Sequence, residues 1–195
     1  MVDSATISFY EAVLRCDPDD VDARVKLGWL YEDELHDHDA ALMHLQTALA
    51  KEPRSAEAGF WLATAYFHHA EFESARTAFE QVLESHPDHV PSLSLLASVY
   101  VFDLDEPQRA VGLLQRALEL APSWGNVHAV ADRAYLDLRE TALAKKNAKE
   151  AARLAEGFHS VSTPGTYNYF ESAITGRWVN SETLAQLKYR AASAR

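Results

Sequence analysis

The fold of this chain is decided by residues 54–87, which read RSAEAGFWLATAYFHHAEFESARTAFEQVLESHP. In the first half, Leu62 and Tyr66 stand four residues apart, a spacing that places two side chains on one face of an α-helix. In the second half, Ala75, Phe79 and Val82 keep a helical spacing as well. A proline closes the stretch, and proline cannot continue the hydrogen-bond ladder of a helix. The stretch therefore predicts two amphipathic helices joined by a short turn.

The same pattern recurs along the chain at a nearly constant period. Pro18, Pro53, Pro87 and Pro122 are separated by 35, 34 and 35 residues. Each interval repeats a leucine followed by a small residue, then an aromatic residue, an alanine and two further apolar residues. These positions are Leu27, Gly28, Tyr31, Ala41, Leu45 and Ala48, then Leu62, Ala63, Tyr66, Ala75, Phe79 and Val82, then Leu96, Ala97, Tyr100, Ala110, Leu114 and Ala117. One hairpin cannot bury its apolar face alone, so neighbouring hairpins must stack.

With these residues the chain resembles the tetratricopeptide repeat family over about residues 3–156. The resemblance implies an all-α fold, an α-solenoid in which helix hairpins coil as a right-handed superhelix. A weaker fourth unit follows, marked by Tyr135, Ala144, Ala148 and Ala151. The chain departs from the family at the early tryptophan, where Arg24, Gly59, Leu93 and His128 stand instead.

We expect two regions in the chain. Residues 1–156 form the repeat solenoid, with a partial unit at about 3–18 and units at 19–53, 54–87, 88–122 and 123–156. Residues 157–195 are predicted to be a loop and C-terminal capping helices, and a tail folded into the groove is the alternative. Two units are one residue longer than the third, and we expect the extra residue in the turn inside the hairpin, near 36–39 and 103–107.

The resemblance implies that the first helix of each pair lines a concave groove, and that this groove holds a partner. The side chains beside the packing positions form an apolar and aromatic stripe there, which suits an amphipathic helix or an extended apolar segment. Trp61 and Leu95 either face the groove or pack between hairpins, and the sequence leaves both open. The predicted partner-binding residues are Lys26, Trp29, Phe60, Thr64, Phe67, His68, Ser98, Val101, Phe102 and Arg133.

These observations favour a protein–protein interaction module or scaffold. Two alternatives remain: a dedicated chaperone or immunity-type protein that masks an apolar segment, and a homo-oligomerising structural protein. The chain has no G-x-S-x-G, no glycine-rich phosphate loop and no H-E-x-x-H sequence. We therefore expect neither an enzyme nor a bound cofactor.

The chain has nine histidines, and several fall near the predicted turns. His36, His38 and His44 surround the first turn, and His68 and His69 come one repeat later. A zinc site needs three or four ligands that converge at about 2 Å from the ion. We expect a polar, solvated turn at these histidines and no metal site.

The overall charge narrows the classes of partner. The net charge is -11 and the isoelectric point about 5.2, which disfavours nucleic acids and anionic membrane surfaces as partners.

Cys16 is the single cysteine, which excludes an internal disulfide, and we expect a small buried thiol. No long apolar run and no leader-like segment is present, so the sequence predicts a cytoplasmic protein. The sequence leaves open a homodimer made through the apolar groove or the terminal faces.

Overall fold

The computed structural model describes residues 4–138 and positions 146, 147, 149, 150 and 153, and every regular element in them is a helix. The predicted all-α arrangement of helix pairs is confirmed. The predicted capping segment at 157–195 and the predicted Ala144, Ala148 and Ala151 lie outside the described residues. None of the helices in the described part combines the length and apolar character needed to cross a bilayer. The helices are α1 (Ser4–Cys16), α2 (Val21–Leu30), α3 (His38–Lys51), α4 (Ala56–His68), α5 (Phe72–Ser85), α6 (Val90–Ser98), α7 (Pro107–Leu120) and α8 (Gly125–Asp137).

Polar side chains fix where several of these helices begin. The Asp20 carboxylate accepts a hydrogen bond of 2.8 Å from the backbone N–H of Ala23 at the start of α2. Asp37 and Ser55 cap α3 and α4 in the same way. Pro107 occupies the first turn of α7, where its missing N–H has no intrahelical acceptor to lose. Local sequence therefore sets the repeat boundaries.

The chain divides into two compact units, Met1–Ser92 and Leu93–Arg195. In the first unit, α2 packs on α3 and α4 packs on α5, which makes two hairpins, and α3 also packs on α4. Helix α1, in the predicted partial unit, packs on α2. In the second unit, α7 packs on α8.

The repeated apolar positions form the core. On the second helix of each pair, the predicted alanine and the apolar residue after it have no exposed surface: Ala41 and Leu45, Ala75 and Phe79, Ala110 and Leu114. Two glycines allow the helices of a hairpin to approach closely. A Cβ atom at Gly28 would lie 2.5 Å from Leu45 Cγ, and one at Gly59 would lie 2.6 Å from Val82 Cγ2. Gly59 therefore occupies the family's tryptophan position because α5 leaves no room for a side chain there.

The extra residue of the longer units lies inside the first helix rather than in the turn. Residues Tyr31–Leu35 and Val99–Asp103 form π-helical turns that continue α2 and α6, and α4 has none. These π turns replace the turn insertions that the sequence predicts. A π turn accommodates one additional residue within a helix.

One backbone hydrogen bond occurs in all three hairpins. The two longer hairpins keep it because the π turn takes up their additional residue. The residue that precedes the second helix donates to the carbonyl of the repeated tyrosine: Asp37 to Tyr31 at 2.9 Å, Glu71 to Tyr66 at 2.9 Å and Glu106 to Tyr100 at 2.7 Å. The residues just before these donors, His36, Ala70 and Asp105, have φ of 54°, 60° and 54°. All three turns thus share one left-handed residue and one closing bond.

The position of Cys16 differs from the prediction. The thiol was expected to be buried, but it lies at the end of α1 and is exposed. A direct link between α1 and α2 comes from Tyr31, whose hydroxyl donates to Glu11 Oε1 at 3.1 Å. Burial and the Glu11 carboxylate together raise the pKa of Tyr31.

The close approach of α2 and α3 predicts opposite effects for two glycine-to-alanine substitutions. Gly28→Ala places a methyl group against Leu45 and should lower the free energy of unfolding by about 1–3 kcal/mol. Gly112→Ala is the matched control, because a Cβ there meets nothing within 4 Å. It should raise stability by about 0.5–1 kcal/mol through helix propensity. Urea unfolding measures both. Equal stabilisation by the two substitutions would show that Leu45 moves aside freely.

Candidate functional site

The first helices of the two hairpins in the first unit lie side by side, and three cross-helix pairs join them. Lys26 Nζ contacts Glu57 Oε1 at 2.7 Å, and the rings of Trp29 and Trp61 have centroids 6.0 Å apart. The third pair is His68 Nδ1 and Glu32 Oε1 at 3.2 Å. We call these six residues the α2–α4 stripe.

The stripe changes in polarity along its length. Lys26 and Glu57 keep 42% and 45% of their side-chain surface exposed, so their ion pair is solvated and weak. Trp29 is partly exposed in the middle of the stripe, and Trp61 is only 7% exposed. Of the two arrangements left open for Trp61, packing between hairpins is the one observed. The accessible part of the stripe is therefore an aromatic edge beside a charged end.

Three predicted groove residues on α4 are buried. Phe60 and Phe67 are 2% and 3% exposed, and Thr64 is 4% exposed. The Phe60 ring packs against Phe79 at 6.0 Å and against His89 at 5.5 Å between centroids. A partner would reach these side chains only after their neighbours move, so their direct role in binding stays a prediction.

The second unit holds the other predicted residues. Ser98 is fully buried and donates to the Ser94 carbonyl of its own helix at 3.1 Å, and Val101 is 5% exposed. Phe102 is 41% exposed, and Arg133 is exposed and paired with a carboxylate of α8. Leu95 is 4% exposed, which matches the packing alternative. Phe102 and Arg133 are therefore the accessible members of the predicted set in this unit.

A cluster of titratable side chains surrounds Glu32, whose carboxylate is 5% exposed. His38 Nδ1 lies 3.1 Å from Glu32 Oε2. His68 Nδ1 and His69 Nε2 lie 3.2 Å and 3.5 Å from Glu32 Oε1. We call these four residues the turn cluster, because they come from the ends of α2 and α4 and the start of α3.

The turn cluster contains donor atoms of the kind that bind metal ions. One atom each from Glu32, His38 and His69 lie within 4.8 Å of one another. The rings of His38 and His69 are also 3.5 Å apart between centroids, so both imidazoles occupy one small volume. This arrangement differs from the solvated turn that the sequence favours.

Two opposing effects act on the Glu32 carboxyl group. Burial favours its neutral form and raises its pKa, but hydrogen bonds from His68 and His38 favour the anion. The net result is a pKa below the ordinary glutamate value. The neighbouring Asp33 shows the opposite balance, since burial dominates there and raises its pKa. Glu32 is thus held as a buried anion at neutral pH.

Glu32 is not among the partner-binding residues that the sequence predicts. A sequence pattern could have identified Glu32 as a site residue. It follows Trp29 by three residues on the same helix and precedes a histidine-rich turn. The sequence placed His68 in the groove and the other two histidines in a turn. Only the backbone path of the π turn at the end of α2 shows that all three histidines surround the Glu32 carboxylate.

The comparisons with known proteins agree with this fold. Two tetratricopeptide repeat models match, one at residues 34–99 and one at residues 9–43. A solved structure described as a crystal structure of MamA is 24% identical, with a TM-score of 0.69, and the match covers 80% of this chain and 90% of that one. YrrB, described as a tetratricopeptide repeat protein with an unusual peptide-binding site, is 17% identical, with a TM-score of 0.68 and coverage of 93% and 90%. No curated protein matches the sequence. The predicted all-α solenoid class is confirmed.

The lowered pKa of Glu32 predicts a pH-dependent effect of Glu32→Gln. The anion stabilises the folded state above the ordinary glutamate pKa, and this contribution is lost as the pH falls through the lowered folded-state value. In a metal chelator at pH 7, the variant should be less stable by about 1.5–3 kcal/mol, the range for hydrogen bonds to a charged group. The difference should therefore shrink as the pH falls below the ordinary glutamate value of 4.5.

Urea unfolding at several pH values measures this difference, and Glu84→Gln on the exposed surface of α5 is the matched control. A loss that is the same at pH 7 and in acid would contradict the assignment of Glu32 as a hydrogen-bonded buried anion.

Proposed function

We propose that this tetratricopeptide repeat protein is an interaction module that binds a partner polypeptide across the α2–α4 stripe. One observation carries the proposal: the stripe presents the partly exposed Trp29 ring between a charged pair and the turn cluster. Repeats of this family generally act as scaffolds for other proteins, which supports binding rather than catalysis.

The chemistry of the stripe defines the class of partner. Partly buried aromatic rings supply much of the binding energy at protein interfaces. The Trp29 ring packs against the Trp61 ring, with 6.0 Å between their centroids. A partner segment with an apolar side chain for this edge, and with charges that match Lys26 and Glu57, would fit. The net charge of -11 argues against nucleic acids and anionic membranes as partners.

The partly or fully exposed residues of the predicted set carry the proposal. In the first unit these are Lys26, Trp29 and His68, and in the second unit Phe102 and Arg133 are separate candidates. The peptide-binding site named for YrrB supports a polypeptide as the ligand class. A homodimer and a cytoplasmic location remain predictions.

Peptide display on the purified protein tests the proposal. Peptides enriched on the wild type should contain apolar residues, and their affinity should fall at least about tenfold for Trp29→Ala. Phe9→Ala is the matched control, because Phe9 is an aromatic residue 61% exposed on α1. Its affinity for the same peptides should stay unchanged.

A charge exchange adds a second control. The Lys26→Glu/Glu57→Lys variant keeps the ion pair but exchanges which of the two helices carries the positive charge. Charged peptides should therefore bind this variant more weakly, while thermal unfolding stays close to the wild type. Absence of any enriched peptide, or equal loss with Trp29→Ala and Phe9→Ala, would exclude the stripe as the binding surface.

A further inference from the structure

We propose that the turn cluster is a binding site for a divalent transition-metal ion of the zinc type, with Glu32, His38 and His69 as ligands. This site goes beyond polypeptide binding and does not depend on it. Its donor atoms already lie within 4.8 Å of one another without any change of the backbone.

The distances inside the cluster match those between ligands of one ion. Two ligands of a tetrahedral zinc ion lie about 3.3 Å apart when each bond is about 2.0–2.1 Å. The nitrogen of His38 is 3.1 Å from one Glu32 oxygen, and the nitrogen of His69 is 3.5 Å from the other. Small rotations of these side chains therefore suffice to direct the donor atoms at a common point.

The buried negative charge of the cluster also favours the binding of a cation. Glu32 is buried, and its ion-pair partners within residues 4–138 are the histidines of the cluster rather than a lysine or arginine. A buried carboxylate is costly unless it is paired or coordinates a metal. A divalent ion would supply the positive charge directly, and two neutral imidazoles would complete its ligand set.

The second nitrogen of His38 faces a carboxylate of the next hairpin. His38 Nε2 is buried and makes no hydrogen bond within the described part of the chain. Glu71 Oε1 lies 3.8 Å away from it. Histidines that ligate metals commonly donate their other ring N–H to a carboxylate, which orients the ring. Glu71 is placed for this positioning role, and a modest side-chain movement would close the bond.

The donor set selects among ions. Two imidazoles and one carboxylate suit zinc and its neighbours, and three protein ligands leave a fourth position for water. Magnesium and calcium prefer sites made of oxygen atoms, and this cluster offers one carboxylate to the common volume. We therefore expect Zn²⁺ to bind and Mg²⁺ not to bind.

Bound metal would join two repeats. Glu32 and His38 belong to the first hairpin and His69 to the second, 31 residues after His38. An ion held by both hairpins binds the folded state alone, so it stabilises that state by mass action. Thermal unfolding should report the site even when no partner polypeptide is present.

The test is Zn²⁺ titration of the untagged, chelator-treated protein, followed by calorimetry and thermal unfolding. One ion per chain should bind, and Zn²⁺ at about 100 times Kd should raise Tm by roughly 5–10 °C, whereas Mg²⁺ should not. His38→Ala/His69→Ala should weaken binding by at least about 100-fold, since it removes two of three ligands. Substitution with Co²⁺ should give the visible absorption of a four-coordinate ion.

His36→Asn is the matched control, because His36 is exposed in the same turn and asparagine tolerates its left-handed backbone. This variant should bind Zn²⁺ as the wild type does. Equal affinity in the wild type and in His38→Ala/His69→Ala would overturn the site. So would the absence of Zn²⁺ binding below about 100 µM, which would leave the cluster as a hydrogen-bonded network only.

Discussion

The structure depends on how closely the two helices of a hairpin approach. At Gly28 and Gly59 the facing side chain occupies the volume that a Cβ atom would need, and alanines with no exposed surface line the other side of the contact. This approach lets α2 and α3 bury a continuous apolar face and lets α3 pack on α4 in turn. The position of α2 beside α4, and with it the whole α2–α4 stripe, follows from this stacking.

A second constraint acts on the turns. It is the hydrogen bond from the backbone N–H of the residue that precedes the second helix to the carbonyl of the repeated tyrosine. Hairpins of different length keep this bond because the extra residue is absorbed as a π turn before the left-handed residue. In the first hairpin, the π turn contains Glu32, and the fixed turn brings His38 back toward it. The turn cluster therefore forms because the first hairpin keeps the shared turn geometry although it contains one additional residue.

The sequence predicted the all-α class and most of the repeated core positions, because these follow from the period of apolar residues. It was less informative about which side of α4 is accessible. This helix has buried residues on all sides, among them Phe60, Trp61 and Leu62, so its periodicity gives no single apolar face. Cys16 was wrongly expected to be buried for a related reason, since only tertiary contacts show what covers α1. The Glu32 cluster needed the backbone path of the π turn, which spacing alone does not give.

The central claim is that a partner polypeptide contacts the α2–α4 stripe. The most direct measurement is the NMR spectrum of the indole N–H groups while a peptide selected on the protein is added. The chain has four tryptophans, and Trp124 precedes α8, outside the stripe. We expect the indole signals of Trp29 and Trp61 to shift with the peptide concentration while that of Trp124 stays in place. Shifts at Trp124 with unchanged Trp29 and Trp61 signals would contradict this claim.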